Sequence, residues 1–417
     1  MLDEVKILQY VSDILLAFDI QPDLYTLNLN SSNFGSINST YFIVNRETRI
    51  TKYVLQKLNV KVFTNPSIIE NNILLISSRL SAYSSFLSLN YPILTYLTTK
   101  SGQHFFKTND NDMYRMMIYV NNTLATDTLS DCSMARLMGY SYGFFTFCIN
   151  QCVSPTEVSA SIPNFHNLDY RYTQYQTALI ASQQSHNIIL KNRYNLSTDL
   201  IQQVDKYTYI MDEARRMIEC DNLPLLIHHH DAKVSNILFP DTYTTSDAAL
   251  CTHTPLPTDL SHLTLKSDNM HQLPVVIDWD TLMPGYYWSD IGDMIRSCAV
   301  KASEDSVHSS AGVDADEVEI QWDVLEAVMD GWKAGVCDTR TTADIAHVSP
   351  TFEYTNERIW FAGEYMIYMQ LLRYLTDLLE GDVYYTISRP LHNLDRARVH
   401  VTILEKISEK RHSCCCV

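Results

Sequence analysis

Two segments of this chain place residue types at a spacing that can do chemistry: HHHDAKVSNILF (228–239) and VVIDWDTLMPG (275–285). The first sets His229 two places before Asp231, and Asn236 five places after it. The second ends an apolar, β-like run in Asp278. Moving a phosphoryl group from ATP and Mg²⁺ to a hydroxyl needs little covalent help, so well-placed charges suffice. Asp231 is the candidate to orient an acceptor hydroxyl and take its proton late. Asn236 offers a neutral oxygen to a hard cation, and Asp278 offers a carboxylate that bridges the cation to phosphates. Asp280 points the same way as Asp278 if the segment stays extended, toward a second metal or a substrate. Three consecutive His cannot all face one ion from a strand or turn. His229 is therefore read as a brace for the loop, with Lys233 as a second supporting residue, and the other two His as incidental.

These residues need elements to hold them. Residues 4–18 have helical apolar spacing, and 67–82 read as a second helix. FGSINSTYFIV (34–44) reads as strand, tight turn, strand, with Gly35 at the bend, and TKYVLQKL (51–58) alternates. The turn carrying Gly35, Asn38 and Thr40 is the candidate cover for phosphates, because a glycine lets backbone N–H groups approach closely. Gln56 and Lys57 lie on opposite faces of the next strand, so only one of them can point at a nucleotide. Glu70, on the following helix, is a possible partner for Lys57. MMIYV (116–120) reads as a buried strand leading into a hinge, where backbone groups from Met117 to Tyr119 would meet an adenine. Helical patterns then dominate: 131–150, 166–191, 197–220, 321–335, 353–380 and 392–411. Gly381 is a plausible stop for the helix ending at Glu380.

Composition bounds the rest. The chain has 417 residues, 46% of them apolar and 19% charged, enough for a large two-lobed core. A net charge of −17 argues against nucleic acid as the main partner. Seven of the ten Cys are scattered singly, with no paired spacing for zinc, which fits reduced thiols in a cytoplasmic protein. MLDEVKILQY has no signal-peptide pattern. IWFAGEYMIYMQLLRYL (359–375) carries Glu364 and Arg373, so it reads as a buried helix and not a membrane span. Residues 240–273, rich in Thr, Ser, Asp and Pro, read as a surface insertion between the two chemical segments. The tail RHSCCCV leaves two readings: a frayed end with free thiols, or a lipid anchor at Cys414, Cys415 or Cys416 that would bring the protein to a membrane.

With these residues in view, the chain resembles the aminoglycoside phosphotransferase/choline kinase superfamily, and within it the N-acetylhexosamine 1-kinases. The resemblance runs nearly end to end. The family's G-x-I-N-x-T-Y turn appears as Gly35 to Tyr41, and its Y-x-L-Q-x-x-N strand as Tyr53 to Asn59. Its H-N-D-T-K-x-N-N segment appears as His229 to Asn236, with His230, Ala232 and Ser235 as departures. Its I-D-L-D-T-x-M-P-G appears as Ile277 to Gly285, and its D-F-G-D-x-I-R as Asp290 to Arg296. Two C-terminal blocks, Arg373 to Tyr384 and His392 to Arg398, lie outside general kinase machinery. The resemblance implies ATP- and Mg²⁺-dependent phosphorylation of the anomeric hydroxyl of GlcNAc or GalNAc. Arg373, Glu380 and Asp382 are the candidates for the sugar side. The expected architecture is α+β and two-lobed: a β-rich N-lobe (1–120) and a mainly helical C-lobe (121–417). Competing readings are a kinase of the same fold for another small hydroxyl acceptor, an amino alcohol or an aminoglycoside-like molecule, and a nucleotide-binding scaffold without turnover.

Overall fold

The computed structural model describes residues 2–28, 37–86, 93–241, 273–301, 318–337 and 352–414. Helix α1 (Leu2–Ala17) leads into a five-stranded antiparallel sheet of β1 (Tyr25–Asn28), β2 (Ser39–Asn45), β3 (Thr51–Lys57), β4 (Phe106–Lys107) and β5 (Met113–Ile118). The strand order is β1-β2-β3-β5-β4. Leu55 pairs with Met116, and Gln56 with Arg115. One face of this sheet is apolar: Ile43, Leu55, Tyr114 and Met116 pack in one cluster with Ile7, Ile14 and Leu15 of α1 and with Phe18 just after it. Strand alternation therefore sends Gln56, Arg115 and Met117 to the opposite face. That face looks toward the rest of the protein. Helix α2 (Pro66–Phe86) follows β3.

After β5 the chain passes through 119–122 into β6 (Thr123–Ala125) and then into α3 (Cys132–Cys152). Asp131 caps α3 by accepting the Met134 N–H. Then come α4 (Leu168–Gln184), α5 (Ile188–Leu196), α6 (Thr198–Lys206) and α7 (Tyr209–Glu219). The two long helices expected over 166–191 and 197–220 are thus four shorter ones. Asn187 starts α5 by accepting the Ile189 N–H, a local bond that competes with helix continuation. The chain turns again at Tyr207 and Thr208 before α7 begins.

The two chemical segments form short strands: β7 (Leu226–His228), β8 (Ile237–Pro240), β9 (Val275–Val276) and β10 (Met283–Gly285). Helix α8 (Trp288–Cys298) follows, then α9 (Trp322–Val336), α10 (Asn356–Glu380) and α11 (His392–Cys414). Helix α9 lies close against α3. A Cβ on Gly139 would come within 2.1 Å of the Val328 carbonyl oxygen, and one on Gly331 within 2.0 Å of the Arg136 oxygen. Glycine is needed at both points for the backbones to approach. Helix α10 is almost wholly buried. Its Glu364 is tolerated there because Arg411 Nη1 of α11 donates to it at 2.7 Å. As expected, Gly381 ends α10, with φ of 107°. Among the described residues no helix is long and apolar enough to cross a membrane. The insertion beyond Asp241, Gly35, Cys415 and Cys416 lie outside the described residues. The α11 backbone continues to Cys414, further than the expected stop at 411.

Candidate active site

The two segments are laced together backbone to backbone. Ile237 pairs with Val276 across β8–β9, and His228 with Met283 across β7–β10. The Ile277 N–H donates to the Asn236 carbonyl at 3.0 Å. Between β7 and β8 the chain makes an irregular loop that carries Asp231.

That loop hangs on one buried carboxylate. Asp290, in the first turn of α8, accepts the backbone N–H groups of His229 (3.0 Å) and His230 (2.8 Å). It also meets His228 Nδ1 at 3.2 Å and accepts from Thr146 Oγ1 at 3.2 Å. Burial opposes its charge, but the hydrogen bond to His228 leads the interactions that outweigh it and hold its pKa far below the usual carboxylate range. All three His are structural. His229 Nε2 donates to the Ile277 carbonyl (2.8 Å) while Nδ1 accepts the Asp231 N–H (3.3 Å). His230 Nε2 donates to the Met283 carbonyl at 3.1 Å. Burial drives the His230 pKa down to about 3, so this ring stays neutral. The expectation that His228 and His230 are incidental is corrected: both fasten the loop, as His229 does. His230 adopts φ of 63°, a left-handed conformation that Asn also tolerates well. That explains how His stands here where the resembling family has Asn.

Asp231 Oδ2 accepts from Asn236 Nδ2 at 2.7 Å and lies 3.0 Å from Lys233 Nζ. Burial would raise its pKa, yet Lys233, His229 and the Asn236 amide together bring it below the usual value. Lys233 is thus the direct partner of Asp231. The Asn236 amide nitrogen is committed to Asp231, which leaves its oxygen for a cation. Asp278 is left-handed, with φ of 62° and ψ of 60°. Its Oδ1 is buried and has no hydrogen-bond partner. Burial, with Asp280 and Asp231 nearby, pushes its pKa up to about 7. A buried carboxylate oxygen with no partner, among other acids, is poised for a cation. Asp278 and Asn236 together suit Mg²⁺, which takes few protein oxygens and keeps waters and phosphates.

Asp280 does not follow the extended-segment expectation. The chain turns at Asp278 into a 3₁₀ turn, Trp279–Thr281. Asp280 is consequently buried against the sheet, where it pairs with Arg115 Nη1 and accepts from Asn38 Nδ2 at 2.6 Å. Asn38 also receives the Asn59 N–H at 3.0 Å. Gln56, and not Lys57, occupies the inward face of β3. Gln56 donates to Thr40 Oγ1 at 3.2 Å and accepts from Arg115 Nη2 at 2.7 Å. Lys57 sits on the α1 side with Asp112, 2.9 Å away. Glu70 accepts the His104 N–H at 3.1 Å, so the expected Lys57–Glu70 pair does not form. In the strand leading to 119–122, Met117 stays in the ladder opposite Val54. The Tyr119 N–H is taken by the Lys52 carbonyl at 3.0 Å, and its ring packs edge-on to Phe42. That N–H is not available to an adenine in this conformation.

On the C-terminal side Arg373 sits among the rings of Phe165 (5.6 Å), Tyr384 (5.6 Å) and Tyr385 (5.5 Å). A line of ring contacts connects it to the loop that carries Asp231. Phe165 lies on His166 with centroids 4.5 Å apart, and His166 lies 5.2 Å from His230. Asp382 is not on this face. Its carboxylate is buried, 2.7 Å from Arg193 Nη1, and accepts from Asn393 at 2.9 Å. Glu380 is exposed at the helix end. Sequence reasoning missed Arg115, Asp290 and Asp377. Asp377 accepts the N–H groups of Val383, Tyr384 and Tyr385, and so builds the turn that presents the two tyrosines. The motif blocks around them were visible, but Asp290 and Asp377 satisfy backbone donors, which no spacing rule reveals.

No protein-family profile matches the chain. Solved structures do. Spectinomycin phosphotransferase, crystallised with ADP and spectinomycin, aligns with a TM-score of 0.55 at 9% identity over 96% of this chain and 98% of that one. The microcompartment-associated aminopropanol kinase aligns at 0.52 and 15% identity over 97% and 98%. Choline kinase from Cryptosporidium parvum aligns at 0.53 and 11% identity over 97% and 96%. This is the two-lobed, protein-kinase-like fold. At these identities the likeness speaks to the fold alone. The five-stranded sheet ends at Ile118, and Asp231, Asn236 and Asp278 stand on the loops beside β7, β8 and β9.

Proposed function

We propose that this protein transfers the γ-phosphoryl group of ATP to a hydroxyl of a small molecule. The observation that carries the reading is the convergence of Asp231, the Asn236 oxygen and the unpartnered Asp278 oxygen on two interlaced loops. Asp231 Oδ2 is occupied by Lys233 and Asn236, so Oδ1 receives the acceptor hydroxyl. The hydroxyl oxygen attacks the γ-phosphorus, the bond to the β–γ bridging oxygen breaks, and ADP leaves. The hydroxyl proton passes to Asp231 late, as suits a weak base. Asn236 and Asp278 would hold Mg²⁺, which neutralises phosphate charge when bound. Lys233 offsets the negative charge of Asp231 as the phosphoryl group approaches.

For the acceptor, the finer reading is the anomeric hydroxyl of an N-acetylhexosamine, giving the 1-phosphate. It is supported by the C-terminal blocks and by the character of the Arg373 face. The aromatic cage there already holds a guanidinium, so a cationic amino alcohol would meet like charge in it. An uncharged sugar can instead accept from Arg373 and lie on the tyrosine rings. An amino-alcohol acceptor is the second reading, because proteins of this fold include an aminopropanol kinase and a choline kinase. The test is a coupled ADP-release assay over a panel of hexosamines, neutral hexoses and amino alcohols, repeated with Asp231→Ala. The expected result is turnover with a hexosamine and a loss of about 10²–10⁴ in kcat for the variant, with nucleotide binding retained. Near wild-type turnover by Asp231→Ala would overturn the mechanism. Mg-ATP binding without turnover on any acceptor would favour a scaffold.

A further inference from the structure

Protein kinases steady the phosphates with a lysine on the third strand, paired to a glutamate on the following helix. Neither member stands in the cleft here. Lys57 is on the α1 face with Asp112, and Glu70 is spent on a backbone N–H. The cleft face of β3 carries Gln56 instead, and its cross-strand neighbour on β5 is Arg115. Arg115 is only 2% exposed. A cation buried this deeply is expensive unless every side of it is engaged.

Every side is engaged. Arg115 Nε and Nη2 both donate to Gln56 Oε1, at 3.0 and 2.7 Å. Nη1 donates to Asp280 Oδ1, and the guanidinium lies 5.5 Å from the centroid of the Tyr96 ring. The second Asp280 oxygen takes Asn38 at the start of β2. The network thus joins β2, β3 and β5 to the turn that carries Asp278. Asp280 is only two residues from Asp278 and shares its tight 3₁₀ turn, so displacing one displaces the other.

On the reading of this site as a Mg-nucleotide phosphotransferase, we propose that Arg115 and Asp280 form an interlobe tether. It sets the phosphate-covering sheet over the metal-binding turn and makes Arg115 the positioning residue for the nucleotide's phosphates. In this arrangement the sheet is coupled directly to the metal turn, beside the hydrogen bond that Asn72 of α2 donates to the Leu282 carbonyl at 3.2 Å. The planar guanidinium matters because it bridges Gln56 and Asp280 at once, which a lysine ammonium does with poorer geometry.

The test uses the full chain with Arg115→Lys, Arg115→Met and the double variant Arg115→Met/Asp280→Asn. The double variant removes both charges of the pair, so neither is left buried without the other, and it keeps the test open if Arg115→Met fails to fold. The readouts are calorimetric binding of Mg-AMP-PNP, separate KM values for ATP and acceptor, kcat, and hydrogen exchange over residues 275–283. For Arg115→Met and the double variant, nucleotide Kd and KM are expected to rise at least about tenfold. Their kcat is expected to fall by up to about a hundredfold, with acceptor KM little changed. Exchange over 275–283 should quicken, and Arg115→Lys should recover part of each loss. If the double variant binds nucleotide like wild type, with unchanged exchange over the metal turn, the tether is overturned while the phosphotransferase reading stands. If wild type neither binds Mg-nucleotide nor turns over, both fall together.

Discussion

Removing the Asp278 carboxylate should make the metal-free protein more stable while abolishing its function. The carboxyl titrates at 3.8 in an ordinary setting and at about 7 here, because of burial and the nearby Asp280 and Asp231. Between those values the folded state binds a proton that the unfolded chain has released, so stability falls as pH rises through that window. About three pH units at ~1.4 kcal/mol each give an upper bound of ~4 kcal/mol at neutral pH. Asp278 keeps some solvent contact, so about 2–4 kcal/mol is the working figure. Asp278→Asn cannot ionise and escapes this cost. Urea unfolding of both proteins in EDTA should show the variant ahead by that margin at pH 7.5, with the gap closing as pH falls toward 4. Adding Mg-ADP should stabilise wild type alone. A gap that does not change with pH, or a variant less stable than wild type at pH 7.5, would refute the claim that Asp278 is an uncompensated acid waiting for a cation.

Asp290→Ala orphans two backbone N–H groups and a histidine, and should cost about 3–5 kcal/mol by urea unfolding. Asp290→Asn, which keeps one acceptor oxygen, should cost less. Lys57→Met should leave the nucleotide KM within about twofold, because its ion pair with Asp112 is a partly exposed one on the α1 side. Arg373→Ala should raise the acceptor KM by about 10–100-fold while the nucleotide KM stays put, as initial-rate measurements in both substrates would show.

Much of the candidate site was legible because residues a few positions apart on one loop stay together when the chain folds. Asp231 and Asn236 share one loop, so their five-residue separation carries over into a direct 2.7 Å bond. Helix positions were legible from apolar period, but breaks such as Asn187 were not, since a local cap competes with a continuing pattern. Lys57 against Gln56 was undecidable from alternation, which says that they oppose each other but not which face meets the helix. The packing of Leu55 and Met116 on α1 decides it.

Spacing and periodicity along the chain were enough for the two-lobed layout, the main elements and the loops that carry Asp231, Asn236 and Asp278, because these depend on local pattern. Tertiary structure alone decided the fate of each buried charge. Asp280 was drawn out of the site by Arg115, 165 positions earlier in the chain, and Asp382 was tied to Arg193, far away in sequence. Asp290 was spent on the backbone of the loop that carries Asp231. A carboxylate in a low-dielectric interior needs a partner, and that partner can come from anywhere the chain folds back. Asp278 has an oxygen for which the fold supplied none, which no reading of neighbours along the chain could tell.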